Sequence, residues 1–90
     1  FYMAKISYDR FKNLIDTYNH NKNNGFLRQA EKEHNKLLNV VKDRLLPEMK
    51  ELQREIERKG EAEVLLKYPD LTEIVLNYED IYKEALRWVS

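Results

Sequence analysis

The sequence predicts an all-α fold: an antiparallel bundle of three helices, or of four, with a long central helix kinked at Pro47. Apolar residues recur every three or four positions in three segments, and no segment shows the period of two expected of a strand. Only two glycines and two prolines interrupt the 90 residues, of which 42% are hydrophobic and 36% charged, as in amphipathic helices. We expect one helical domain over residues 1–90, with helices at about 3–22, 26–59 and 70–89 and a short helical turn at about 61–67.

The first helix is predicted from an apolar stripe whose members share one helix face. The stripe consists of Ala4, Tyr8, Phe11, Leu14, Ile15 and Tyr18. The helix should end in the segment YNHNKNNG, because asparagine tolerates the left-handed conformation and Gly25 adopts it without steric cost.

The second helix is predicted from a longer stripe that steps by three or four residues throughout. It consists of Leu27, Ala30, His34, Leu37, Val41, Leu45, Met49, Leu52 and Ile56. This heptad-like pattern is typical of coiled-coil packing. A single helix over this segment would be about 50 Å long at 1.5 Å per residue.

Pro47 lies inside the second stripe and raises the alternative of two helices that meet there. In a regular helix its ring would clash with the carbonyl of Asp43, at a cost of roughly 3 kcal/mol. The stripe nevertheless keeps its phase across the proline, from Leu45 to Met49. We therefore favour one kinked helix, with Pro47 as the first residue of a new helix as the alternative.

The third helix is predicted to follow a stop at Gly60 and a short helical turn before Pro69. Asp70 and Glu73 form the D-x-x-E pattern of a capping box, which indicates a helix start at Leu71. Its apolar face is broad enough to contact two neighbouring helices. This face consists of Leu71, Ile74, Val75, Tyr78, Ile81, Tyr82, Ala85, Leu86, Trp88 and Val89.

Charge is balanced overall but unevenly distributed. Residues 1–60 carry a net charge of +4 and residues 61–90 carry −4. One interpretation is that the acidic segment packs beside the basic ones; the other is that the basic segments present a face to an acidic partner. Acidic residues are interleaved with the basic residues of the long helix, so nucleic-acid binding is the less favoured function.

The residues that carry chemistry predict no catalytic, metal or cofactor site. His34 ends one Glu-x-x-His element with Glu31, but di-iron bundles need two such elements, and His34 also lies on the core stripe. His20 lies in the asparagine-rich loop. Cysteine is absent, and neither Ser7 nor Ser90 lies in a nucleophile motif. We therefore expect a protein that is not an enzyme and has no cofactor.

Apolar residues outside the stripes indicate where a protein partner would bind. Ile6, Val40, Leu46 and Leu76 miss the stripes of their helices, and the long helix would leave Leu52 and Ile56 uncovered at an overhanging end. These six residues are the predicted protein-binding set. The alternative is scattered exposure without a role, since single exposed apolar residues are common.

The function predicted from these patterns is a non-catalytic helical module for protein–protein interaction, acting as a regulator, an inhibitor or an assembly subunit. Its partner would be another protein or a second copy of the chain, as in a homodimer. The alternative is a nucleic-acid-associated regulator that uses basic residues of the long helix. No apolar run reaches the ~20 residues of a membrane helix, and no signal-peptide core is present, so we expect no membrane contact and a cytoplasmic location.

Overall fold

The computed structural model describes residues Met3–Ser90, which form helices joined by short turns. The elements are α1 (Ala4–Asn23), α2 (Leu27–Val40), a π-helical turn (Val41–Leu45), α3 (Leu46–Lys59), α4 (Glu61–Lys67), a 3₁₀ turn (Pro69–Leu71), α5 (Thr72–Leu76) and α6 (Tyr78–Val89). Between Met3 and Ser90 there is no β-strand, and the predicted all-α class is confirmed. No helix in this range is both long enough and apolar enough to cross a membrane.

The turn between α1 and α2 is closed by a Schellman motif. Phe26 N–H donates to the Asn21 carbonyl at 2.8 Å, and Gly25 N–H donates to the Lys22 carbonyl at 3.2 Å. Gly25 has a φ of 77°, which a residue with a side chain rarely adopts. The asparagine-rich segment thus ends α1 where the sequence predicts, and α2 folds back along α1.

The central segment continues through Pro47 without leaving the helical region. Val41 and Leu46, at the two ends of the π-helical turn, have αR dihedral angles. Leu46 N–H donates to the Val41 carbonyl, five residues earlier. A turn widened in this way directly before Pro47 removes the regular spacing that would bring the proline ring against the carbonyl four residues back.

The C-terminal third differs from the single helix expected over residues 70–89. Pro69 begins a 3₁₀ turn, and the capping box predicted at Asp70 and Glu73 forms no side-chain cap hydrogen bond. A second interruption lies at Asn77, whose φ of −115° and ψ of 24° are not helical. The Asn77 side-chain amide donates to the Glu73 carbonyl at 3.0 Å, so it competes with the regular backbone ladder and separates α5 from α6.

The core contains most members of the three predicted stripes. Its buried residues are Ala4, Phe11, Leu14, Leu37, Val40, Val41, Leu45, Met49, Leu52, Val64, Leu71, Ile74, Val75, Ile81 and Ala85. Leu27, in the first turn of α2, and Leu86 on α6 are exceptions, because both are exposed. The central segment contacts both α1 and α6. It therefore buries a wider face than one stripe provides, and the described residues form an elongated body of 47 × 21 × 20 Å.

Candidate protein-binding surfaces

Two of the six predicted contact residues are well exposed. Ile6 on α1 has an exposed fraction of 59%, and Leu76 at the end of α5 has one of 64%. Leu76 lies on α5, which meets α1 where Lys12 Nζ lies 3.4 Å from Glu73 Oε2. Ile6 is about 120° from Lys12 around α1.

The other four predicted residues lie on the central segment and are covered to different degrees. Val40 and Leu52 are buried in the core, so their side chains are not available to a partner while this fold persists. Leu46 and Ile56 are half-buried and pack against the core. α1 covers Val40, because it packs on a side of the central segment that the single stripe does not include. Other helices of the same chain cover Leu52, near the end of the central segment.

A groove between α1 and the central segment contains Ile6 at its edge. It has a volume of about 340 Å³. Its lining residues are Met3, Ile6, Ser7, Arg10, Asn39, Val40, Asp43, Arg44 and Glu48. Met3 and Ile6 supply exposed apolar surface, and Arg10 and Arg44 add positive charge beside it.

Glu48 separates this groove from a second one on the outer side of α3. The second groove has a volume of about 560 Å³ and is lined by Lys42, Leu46, Pro47, Glu48, Lys50, Glu51 and Arg54. Glu48 lines both grooves, and its Oε2 accepts a hydrogen bond of 2.7 Å from Ser7 Oγ. We call the two grooves together the cationic surface.

Five cations of the cationic surface have no ion pair among residues 3–90. They are Arg10, Lys42, Arg44, Lys50 and Arg54. The carboxylates on the same surface are Asp43, Glu48 and Glu51, of which Glu48 is hydrogen-bonded to Ser7. The surface therefore keeps an excess of positive charge that the acidic C-terminal segment does not neutralise.

A third groove, between α3 and the C-terminal helices, has the opposite character. It has a volume of about 570 Å³ and is lined by Gln53, Ile56, Glu61, Val75, Tyr78, Glu79, Tyr82 and Lys83. The rings of Tyr78 and Tyr82 stack with centroids 5.9 Å apart. Two carboxylates, Glu61 and Glu79, and one cation, Lys83, surround this apolar lining, which we call the C-terminal groove.

Tyr78 closes the inner side of the C-terminal groove. Its hydroxyl donates to the Met49 carbonyl at 2.7 Å and so ties α6 to α3. Burial raises the pKa of Tyr78 to about 12, and the charges of Tyr82 and Glu57 act in the same direction. Tyr78 therefore stays neutral in the physiological pH range and serves as a structural contact, with no feature of an acid or base that works near pH 7.

His34 lies at the edge of the helices in an aromatic cluster. Its ring centroid is 5.6 Å from that of Tyr18 and 5.9 Å from that of Trp88, while Tyr18 and Trp88 meet edge to face at 5.5 Å. His20 is exposed and lies in the last turn of α1, not in a loop as the sequence predicts, with its ring beside Asn24. Within residues 3–90, no group of three or more histidine, aspartate or glutamate side chains is arranged to hold a metal ion.

Several surface features were not predicted from the stripes. Leu66 has an exposed fraction of 85%, and Phe26 and Leu27 are exposed beside the α1–α2 turn. The Ser7–Glu48 hydrogen bond was also missed, because it joins residues 41 positions apart. A polar residue at a core-facing position of α1 was the available signal, since buried hydroxyls require a partner.

The chain matches no known protein family model, and no curated protein or solved structure matches it.

Proposed function

We propose that this chain is a non-catalytic helical module for protein–protein interaction, and that it acts as a regulator, an inhibitor or an assembly subunit. The observation that carries the proposal is Ile6, which is exposed at the edge of the groove between α1 and the central segment, beside exposed Met3. Burying an exposed aliphatic side chain of this size against a partner contributes roughly 1.5–3 kcal/mol.

The partner segment that fits this site carries negative charge. Arg10 and Arg44 border Ile6, and Lys42, Lys50 and Arg54 line the adjoining groove. Cations without ion pairs around apolar residues favour an acidic amphipathic segment, because charge complementarity directs the encounter and apolar contact supplies affinity. Lys12 and Glu73 form an ion pair between the basic and acidic segments, but the cations of the cationic surface form none among residues 3–90, which supports the acidic-partner interpretation for that surface.

We also propose that residues 27–59 behave as one kinked helix in an antiparallel bundle. The αR angles at the ends of the π-helical turn support continuity, and π-helical turns and prolines are two of the known causes of helix kinks. A kink at this point would shape the outer groove, since Leu46 and Pro47 line it. A cytoplasmic location stays a prediction that cell fractionation would test.

The experiment for the proposed function compares two exposed positions. Ile6→Ser changes the cationic surface, whereas Leu66→Ser changes an apolar residue with an exposed fraction of 85% outside the three grooves. A partner captured by the wild type and by Leu66→Ser would be purified and titrated against all three proteins. We expect Ile6→Ser to bind at least tenfold more weakly, at 1.4 kcal/mol per decade. Equal affinity of the three proteins would exclude the site.

Nucleic-acid binding is the alternative, because Lys42, Lys50 and Arg54 would also bind phosphate groups. Glu48 and Glu51 line the same groove and oppose this function. Fluorescence anisotropy with labelled single- and double-stranded DNA and RNA would decide it. Affinity that falls steeply with salt and depends on Lys50 would support the alternative, since phosphate contacts release counterions. Affinity that is absent at 50 mM salt would support the protein partner.

A further inference from the structure

We propose that the acidic partner is a second copy of this chain, which docks its C-terminal groove and the surrounding carboxylates on the cationic surface. The proposal rests on the proposed function, because it uses the same cationic surface and names its occupant. It follows from opposite charges that form no ion pair among residues 3–90 and from the apolar residues that both surfaces contain.

The carboxylates of the C-terminal third are as poorly neutralised as the cations of the cationic surface. Five of them form no ion pair among residues 3–90: Glu61, Glu63, Asp70, Glu79 and Asp80. By contrast, Glu73 pairs with Lys12, and Glu84 pairs with Arg87. Glu61 and Glu79 line the C-terminal groove with one cation, Lys83, so the groove carries an excess of negative charge.

Both surfaces combine charge with apolar side chains. On the cationic surface, Ile6 and Leu46 lie among the unpaired cations. In the C-terminal groove, the half-buried Ile56 and Tyr82 lie beside Glu61 and Glu79. Apolar contact surrounded by complementary charge is the composition of a specific interface, with an apolar centre and a polar rim.

The size of the molecule permits this contact. A standard interface takes about 800 Å² from each partner, which is roughly one-eighth of the 6105 Å² of accessible surface. Each copy carries one surface of each kind, and a head-to-tail contact leaves one free cationic surface and one free C-terminal groove at the two ends of the assembly. Such an assembly grows with concentration unless it closes into a ring.

The experiment uses charge reversal and sedimentation velocity. One variant carries Lys50→Glu and Arg54→Glu on the cationic surface; the other carries Glu61→Lys and Glu79→Lys at the C-terminal groove. All four side chains are exposed, so circular dichroism should show an unchanged fold. Lys32→Glu, at an exposed position of α2 outside both surfaces, is the control.

We expect the wild type and the Lys32→Glu control to assemble as concentration rises, and each double variant to assemble at least tenfold more weakly, because like charges then face each other. An equimolar mixture of the two double variants should assemble again, because the unchanged C-terminal groove of one variant meets the unchanged cationic surface of the other, and the two reversed surfaces are also opposite in charge. Loss of assembly in each variant alone, together with its recovery in the mixture, identifies the contact between the two surfaces.

Three results would overturn the second copy as partner. They are a wild type that stays monomeric up to millimolar concentration, double variants that assemble as the wild type does, and a mixture that shows no rescue. None of these results would remove the proposed function, because a monomer that binds a separate acidic protein through Ile6 and Lys50 would still satisfy it. A monomer that binds nucleic acid through Lys50 would overturn both.

Discussion

Single hydrogen bonds between helices matter most where a polar side chain is covered by the core. Ser7 is buried on α1, and its hydroxyl donates to the half-buried Glu48 carboxylate on α3. The Tyr78 hydroxyl donates to the Met49 carbonyl from the other side of the same helix. These two contacts fasten α1 and α6 to the first turns of α3, next to Pro47.

Ser7→Ala should lower the free energy of unfolding by about 1–2 kcal/mol, because it leaves the half-buried Glu48 carboxylate without its donor. Thr17→Ala is the control, since the exposed Thr17 hydroxyl donates only to the Asn13 carbonyl of its own helix. That control should change stability by no more than about 0.5 kcal/mol. Urea unfolding of both variants checks the prediction, and equal effects would show that the interhelical bond contributes nothing.

Tyr78 predicts a loss of stability at high pH. Its pKa is raised from 10.0 to about 12 in the folded protein, mainly by burial. Above pH 10 the unfolded chain releases this proton while the folded protein still holds it, so stability falls as pH rises from about 10 and levels off near 12. Below pH 10, Tyr78 contributes no pH dependence.

Urea unfolding of Tyr78→Phe at pH 9, 10 and 11 tests this linkage. The variant should lose less stability between pH 9 and 11 than the wild type, although it should be less stable at pH 9 because the bond to Met49 is gone. Tyr82→Phe keeps the ring that stacks on Tyr78 and serves as the control. An identical pH dependence for wild type and Tyr78→Phe would contradict the assigned pKa.

At the scale of the elements, periodicity predicted the helices better than their interruptions. Phe11, Leu37 and Ile74 lie in the core because their spacing places them on one face of each helix. The break at Asn77 was missed because the apolar pattern of Ile74 and Tyr78 continues across it. Its cause is a local side-chain hydrogen bond to Glu73, which a count of apolar spacings does not detect.

Pro47→Ala should stabilise the protein, by about 1 kcal/mol. This is less than the roughly 3 kcal/mol that proline costs in a regular helix, because the π-helical turn already separates the ring from the preceding carbonyls. Pro69→Ala is the matched control. Pro69 begins a 3₁₀ turn, where its fixed φ is favourable, so its replacement should be neutral or destabilising. Thermal melts decide the comparison, and a lower midpoint for Pro47→Ala would show that the fold needs the proline.

At the scale of the whole molecule, contacts between helices determine which apolar residues are buried and which are exposed, and helix periodicity alone does not predict all of them. Val40 is a core residue because α1 packs on it, and Leu27 is exposed because no helix of residues 3–90 covers the first turn of α2. Four of the six predicted contact residues follow from helix angles, and Leu52 and Ile56 follow from an expected overhang of the long helix. Neither argument shows how neighbouring helices cover Leu52. The charge asymmetry is visible in the sequence, but only the arrangement of the helices shows that Lys50 forms no ion pair among residues 3–90.

The aromatic cluster predicts that the molecule unfolds as one unit. Trp88, the single tryptophan, contacts Tyr18 of α1 and His34 of α2, so the last turns of the chain are packed on its first two helices. Tryptophan fluorescence, which reports on this cluster, and circular dichroism at 222 nm, which reports on all helices, should therefore give the same urea midpoint. Trp88→Phe, which keeps an aromatic ring in the cluster, should shift the dichroism transition to lower urea while leaving it a single step. A fluorescence midpoint clearly below that of dichroism would instead show that α6 detaches before α1 and α2 unfold, and that the C-terminal groove exists only while α6 is docked.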